Sequence, residues 1–122
     1  MKLTDTLGQF EQLIMTAITL LGDDAYGMQI YSKVCELADR DMNLGSMYVT
    51  LERLTKKGYV SSRVAEGRPE HGSKPRKFFS ILPAGAQALR ESVETATRIS
   101  DSFWRLPKWK PFRPKVQPIK GK

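Results

Sequence analysis

Apolar residues follow a helical period along most of this chain and switch to alternation in two short places. Leu7, Phe10, Leu13, Ile14, Ala17, Ile18 and Leu21 recur every three or four residues, the spacing of one helix face, and Gly22 supplies a stop. Asp23 and Asp24 predict a short turn and an N-cap for a second helix, from Ala25 to about Arg40. Its apolar side is Tyr26, Ile30, Val34 and Leu37. Gly27 in the first turn carries a propensity cost, which makes sense if another backbone or an aromatic ring packs tightly there. After a turn at Asp39 to Asn43, a third helix places Leu44, Met47, Leu51 and Leu54 on one face. Asn43 is a good N-cap type, Lys56 and Lys57 sit in the last turn where cations suit the helix dipole, and Gly58 ends it.

Beyond Gly58 the period becomes two. Val60, Ser62 and Val64 alternate with Ser61, Arg63 and Ala65, as in a half-buried strand, and Arg76 to Leu82, with Phe78, Phe79 and Ile81, reads as a second. Between them lies EGRPEHGSKP, a loop rich in glycine, proline and charge, so the pair forms a β-hairpin with a long tip. Three short helices followed by a hairpin predict a mostly α chain with a small β-hairpin, a winged helix-turn-helix over residues 1–82. From Pro83 to about Leu106 the helical period returns: Ala86, Leu89, Val93, Ala96, Ser100 and Phe103 form a narrow, heptad-like stripe. A helix over 83–106 is roughly 35 Å long at about 1.5 Å per residue, more than a small domain needs to cover its core. Pairing with a second subunit is its simplest use; folding back on its own domain is the alternative.

Charge sharpens this picture. The chain has 122 residues, suited to one domain, and a net charge of +7. Residues 1–43 balance at −4, 44–82 at +5, 83–106 at zero and 107–122 at +6. Positive charge therefore sits on the third helix, on the hairpin and on the tail, and favours a polyanionic partner. The tail, PKWKPFRPKVQPIKGK, has four prolines and six basic residues and is expected to be extended or disordered. It is either a basic arm along phosphates, with Trp109 and Phe112 able to stack, or a solvated tail. One cysteine, Cys35, excludes an internal disulfide framework and suits a reducing, cytoplasmic compartment; a small, partly buried apolar role is expected for it ahead of redox sensing. No signal peptide or membrane span is expected. One histidine, His71, stands far from Cys35, and the patterns of metal ligation, phosphate loops and nucleophile elbows are missing, so neither an enzyme nor a cofactor is expected.

The outer face of the third helix carries the candidate chemistry. Ser46, Val49, Arg53 and Lys56 lie there, with Thr50 and Lys57 flanking and only Glu52 acidic, at the margin. Short hydroxyls, a β-branched side chain and one arginine fit a DNA major groove: arginine pairs with guanine, Ser and Thr reach base edges or phosphates, and Val meets a thymine methyl. A plain amphipathic helix with a polar outside is the competing description. At and beside the hairpin tip Arg68, His71, Lys74, Arg76 and Lys77 could lie along phosphates or in a minor groove; an ordinary solvated loop is the alternative.

Three stretches together resemble the PadR family of bacterial winged-helix regulators: LLGDDAYGMQI (Leu20–Ile30), LGSMYVTLERLTKKGYVSS (Leu44–Ser62) and KFFSILPAGAQAL (Lys77–Leu89). The likeness spans roughly Leu7 to Leu89. It implies a homodimeric repressor on a palindromic operator in double-stranded DNA. The implied DNA contacts are Ser46, Tyr48, Thr50 and Arg53, with Asn43 and Val49 beside them, and the wing residues Lys74, Arg76 and Lys77. It also implies a dimer interface built by the fourth helix and the partner's first helix, here Leu7, Phe10, Leu89, Val93, Ala96 and Phe103. In some members that interface holds a small apolar effector, for which Phe103 and Trp104 are the candidates; anchoring the dimer or covering the core is their other use. The chain departs from the family at Leu82, where a threonine usually caps the following helix; leucine has no acceptor, at a cost of about 1 kcal/mol. The function expected is sequence-specific transcriptional regulation. A non-specific nucleic-acid or protein-interaction adaptor is the alternative, because fold does not fix function.

Overall fold

The computed structural model describes residues 6–65 and 75–114. In chain order the elements are α1 (Gln9–Leu21), a 3₁₀ turn (Gly22–Asp24), α2 (Gly27–Ala38), α3 (Leu44–Lys56), β1 (Val60–Ala65), β2 (Arg76–Ile81), α4 (Pro83–Trp104) and a 3₁₀ helix (Pro107–Phe112). β1 and β2 pair antiparallel, with Val60 opposite Ile81 and Ala65 opposite Arg76. The core gathers Ile14, Met15 and Ile18 of α1, Ile30 and Val34 of α2, Met47, Leu51 and Leu54 of α3, and Val60 and Phe79 from the hairpin. Each such side chain contributes roughly 1.5–3 kcal/mol relative to exposure, which is what clamps three helices and a hairpin into one unit.

The boundaries are set by local chemistry. Gly22 ends α1 at φ +57°, Asp39 ends α2 at φ +57°, and Gly58 turns the chain from α3 into β1 at φ +80°. Asn43 caps α3, its Oδ1 accepting the Ser46 N–H at 2.7 Å. Asp24 does not cap α2 as the sequence predicts. Instead Ala25 and Tyr26 are drawn out along β2: the Phe79 N–H donates to the Ala25 carbonyl at 2.8 Å, and Tyr26 bridges to Phe78. This isolated bridge ties the start of α2 to the edge of the two-stranded wing sheet, and α2 starts at Gly27. In α2, the Tyr31 hydroxyl donates to the Met42 carbonyl at 2.7 Å, tying the α2–α3 turn to the helix. Its pKa lies above the ordinary phenol value, chiefly through a hydrogen bond with the Cys35 side chain and then through burial.

α4 leaves the hairpin through a tight junction. The Leu82 N–H donates to the Tyr59 carbonyl at 2.9 Å, Pro83 takes the first turn, and Gly85 lies so close to Tyr59 that a Cβ there would stand 2.2 Å from its carbonyl oxygen. This backbone contact anchors the start of α4, where Leu82 has no side-chain acceptor. At about 1.5 Å per residue, its 22 residues run roughly 33 Å.

The structure corrects three expectations about packing. Val64 is 70% exposed, so the alternation in β1 fails at its outer end, where the hairpin extends past the core. Residues 107–112 of the tail are helical and not extended: Trp109 stacks on Phe103, centroids 4.9 Å apart and planes 23° from parallel. Pro107 takes the first position, where no N–H is needed, Pro111 falls inside the helix, and the aromatic stack holds the segment on α4. Leu7, expected at a dimer interface, is only 2% exposed and lies in the chain's own core. No helix among the described residues is long and apolar enough to cross a membrane.

Candidate nucleic-acid interface

α3 presents three sides, each with a different neighbour. Met47, Leu51 and Leu54 face the core, and Thr50 joins them at 4% exposure. Positions 47, 50, 51 and 54 are the full three-and-four step of a buried helix face. Thr50 is thus withdrawn from the set of DNA contacts, and Leu44, expected on the core side, is 37% exposed in the first turn. Ser46, Val49 and Arg53 point outward, with Val49 64% exposed. Asn43 is exposed beside them, with its oxygen engaged as the cap.

Toward the wing, α3 borders an open cleft of about 890 Å³. Tyr48, Glu52 and Lys56 form one wall, Arg76 and Lys77 another, and Tyr26 and Met28 close the end at α2. Tyr48 is half-exposed; its hydroxyl rests on Gly27, where a Cβ would come within 2.1 Å of the oxygen. The aromatic neighbour expected for Gly27 is therefore Tyr48. Lys56 pairs with Glu52 at 3.7 Å, which offsets the one acidic group on this flank.

The wing face is a ladder of cations on aromatic rings. The Arg76 guanidinium lies 4.2 Å from the centroid of Tyr26, Tyr26 meets Phe78 edge to face at 5.6 Å, and Arg63 lies 4.9 Å over Phe78. Such stacking fixes the plane of a guanidinium while leaving its N–H edges available to phosphate. Arg63 is absent from the expected contacts; the cross-strand register, which sets it opposite Phe78, reveals it. Lys77 is exposed on the same hairpin, 5.9 Å from the Phe79 ring. Lys74, Arg68 and His71 lie outside the described residues.

On the third side α3 meets the start of α1 through Glu11, which sequence inspection does not single out. Glu11 is 7% exposed. Its Oε1 accepts the Gly8 N–H at 2.9 Å, and its Oε2 stands 3.3 Å from Lys57 Nζ and 3.7 Å from Arg53 Nε. The Arg53 side chain remains 54% exposed.

Of the proposed dimer residues other than Leu7, Leu89, Val93, Ala96 and Phe103 lie on α4 and Phe10 lies on α1. Phe10 and Leu89 are partly buried against the core, Val93 is 46% and Phe103 40% exposed, and Ala96 is exposed. Ile99, 64% exposed, extends the stripe, although a strict heptad count steps over it to Ser100. Phe103 and Trp104 meet edge to face at 4.7 Å, and Trp109 stacks on Phe103, so one face of that candidate effector ring is already covered.

A helix-turn-helix whose third helix stands exposed beside a cationic hairpin defines the winged-helix DNA-binding class. The model of the PadR-like family of transcriptional regulators matches residues 17–91. The chain belongs to that family. No curated protein matches it significantly in sequence. Among solved structures, a PadR-like transcription factor from Bacteroides fragilis is 23% identical with a TM-score of 0.64, the match covering 81% of this chain and 90% of that one. A PadR-like regulator from Bacillus cereus is 21% identical, TM-score 0.67, covering 79% and 88%. BpsR of Bordetella bronchiseptica is 14% identical, TM-score 0.60, covering 84% and 69%. These likenesses show a shared fold.

Proposed function

We propose that this protein is a transcriptional repressor that binds a palindromic operator as a homodimer, reading bases with the outer face of α3 and gripping flanking phosphates with the wing. The observation that carries this is the juxtaposition of a helix face bearing Ser46, Val49 and Arg53 with the aromatic-seated cations Arg63 and Arg76. The first set has the shape and donors for a major groove; the second has the donors for a backbone. Arg53 is the principal base-reading side chain, Tyr48 and Ser46 border it, and Lys77 adds a phosphate contact. The exposed apolar stripe Val93, Ile99 and Phe103 on α4 supports pairing of two copies. A two-fold dimer sets its recognition helices about 34 Å apart, one turn of DNA.

Release by a small molecule is part of this proposal. DNA binding by BpsR of Bordetella bronchiseptica is regulated by 6-hydroxynicotinic acid. In this chain an apolar groove of about 540 Å³, lined by Ile81, Leu82, Ala86, Leu89 and Val93, lies at the junction of wing and α4, where a ligand would alter how the two copies meet.

Arg53→Ala tests the base-reading assignment. The ratio of operator to random-duplex affinity is expected to fall by roughly 1–3 kcal/mol, with random binding changed little. Fluorescence anisotropy against both duplexes measures it, and an unchanged ratio removes Arg53 from base recognition.

A further inference from the structure

A buried carboxylate under the recognition helix of a DNA-binding protein is unfavourable on two counts: it loses its hydration, and it repels the phosphates of the ligand. The surroundings of Glu11 divide its two oxygens between two tasks. Oε1 holds the Gly8 N–H at the head of α1. Oε2 faces α3, where Arg53 and Lys57 stand one helical turn apart on the same flank. The contact to Arg53 runs to Nε, the nitrogen nearest the chain, while the side chain as a whole is half in solvent. A guanidinium has five N–H donors in a rigid plane, and its terminal pair can bond guanine O6 and N7 bidentately. At 3.7 Å this is an ion pair longer than a hydrogen bond, so it draws the Nε edge toward α1 by charge and leaves the terminal pair turned toward the groove. Lys57, as a second cation on the same oxygen, offsets the negative charge that phosphates would otherwise meet.

We propose that Glu11 is a positioning residue for operator readout, orienting Arg53 through Nε so that its terminal nitrogens meet a base edge in one pose. This rests on the assignment of Arg53 to base reading. Glu11 and Arg53 belong to different helices, so the pose is set by packing of α1 on α3 and not by α3 alone.

The test uses the full chain and an operator obtained by in vitro selection with the unsubstituted protein from a randomised duplex pool. Glu11→Gln retains an amide oxygen for Gly8 and nearly the same volume, and removes the charge that holds Arg53. The operator-to-random affinity ratio is expected to fall about tenfold, while random binding stays equal or rises, since one negative charge has gone. In an Arg53→Ala background the same substitution is expected to leave the ratio unchanged, the signature of two residues acting as one. Selection repeated with Glu11→Gln is expected to relax the same base pair that Arg53→Ala relaxes. A ratio that falls in Arg53→Ala but not in Glu11→Gln overturns the positioning role alone. Equal falls in both backgrounds, or joint loss of operator and random binding, assign Glu11 a purely structural role and also overturn it. An Arg53→Ala ratio that does not fall removes the base-reading assignment itself.

Discussion

One step around α3 separates a side chain that can touch DNA from one that cannot. Val49 is 64% exposed and Thr50, the next residue, 4%. Thr50→Val removes the hydroxyl while keeping the shape, so operator affinity is expected to change by less than about twofold, as for a site outside the interface. Anisotropy titration checks this, and a loss of tenfold or more would return Thr50 to the contact surface. The sequence makes Met47, Leu51 and Leu54 plain as core, because leucine and methionine at helical spacing have one energetic use. Thr50 is ambiguous there, since a hydroxyl beside a β-branched methyl suits either a groove or a core. Glu11 and Arg63 are illegible for a different reason. Each acquires its role from a partner on another element, Glu11 from Lys57 and Arg53 across the helix packing and Arg63 from Phe78 across the hairpin register.

At the scale of elements, close backbone approach does what side-chain capping does elsewhere. α4 begins without a capping side chain, and its first turn is instead fixed by Gly85 against the Tyr59 carbonyl. Gly85→Ala forces that contact apart, and the neighbour is backbone, which cannot swing aside. A destabilisation of about 1–3 kcal/mol is expected, typical of overpacking, read as a lower thermal midpoint by circular dichroism; an unchanged midpoint would show that α4 is held by other contacts. The long helices and the hairpin could be read from periodicity and from the glycines at 22 and 58. The bridge at Tyr26 could not, because so short a contact carries no alternation and its existence depends on pairing with β2. Residues 107–112 were not legible either: prolines argue against an α-helix, and the short 3₁₀ helix that forms is held by the stack of Trp109 on Phe103, a contact between two elements.

At the scale of the whole molecule, the exposed stripe on α4 and the charge distribution bear on one assembly. The basic residues of the third helix and hairpin stand around the proposed groove-facing surface, while the apolar stripe of Val93, Ile99 and Phe103 is left on α4. Val93→Glu places a charge on that stripe without entering the core, so the proposed dimer is expected to weaken by at least about tenfold and give a monomer at low micromolar concentration. Light scattering decides this, and a dimer that persists would place the subunit contact elsewhere. The family and the winged-helix fold were legible from three motif-bearing stretches, whereas the pairing of copies depends on a surface that one chain can only leave open. The most direct test of the central claim is in vitro selection from a randomised duplex pool, followed by anisotropy of the selected duplex against a scrambled one at near-physiological salt. A palindromic consensus bound at least about 10³-fold more tightly than scrambled DNA is the predicted result. Selection that yields no consensus, with equal and salt-sensitive binding to both duplexes, would contradict it.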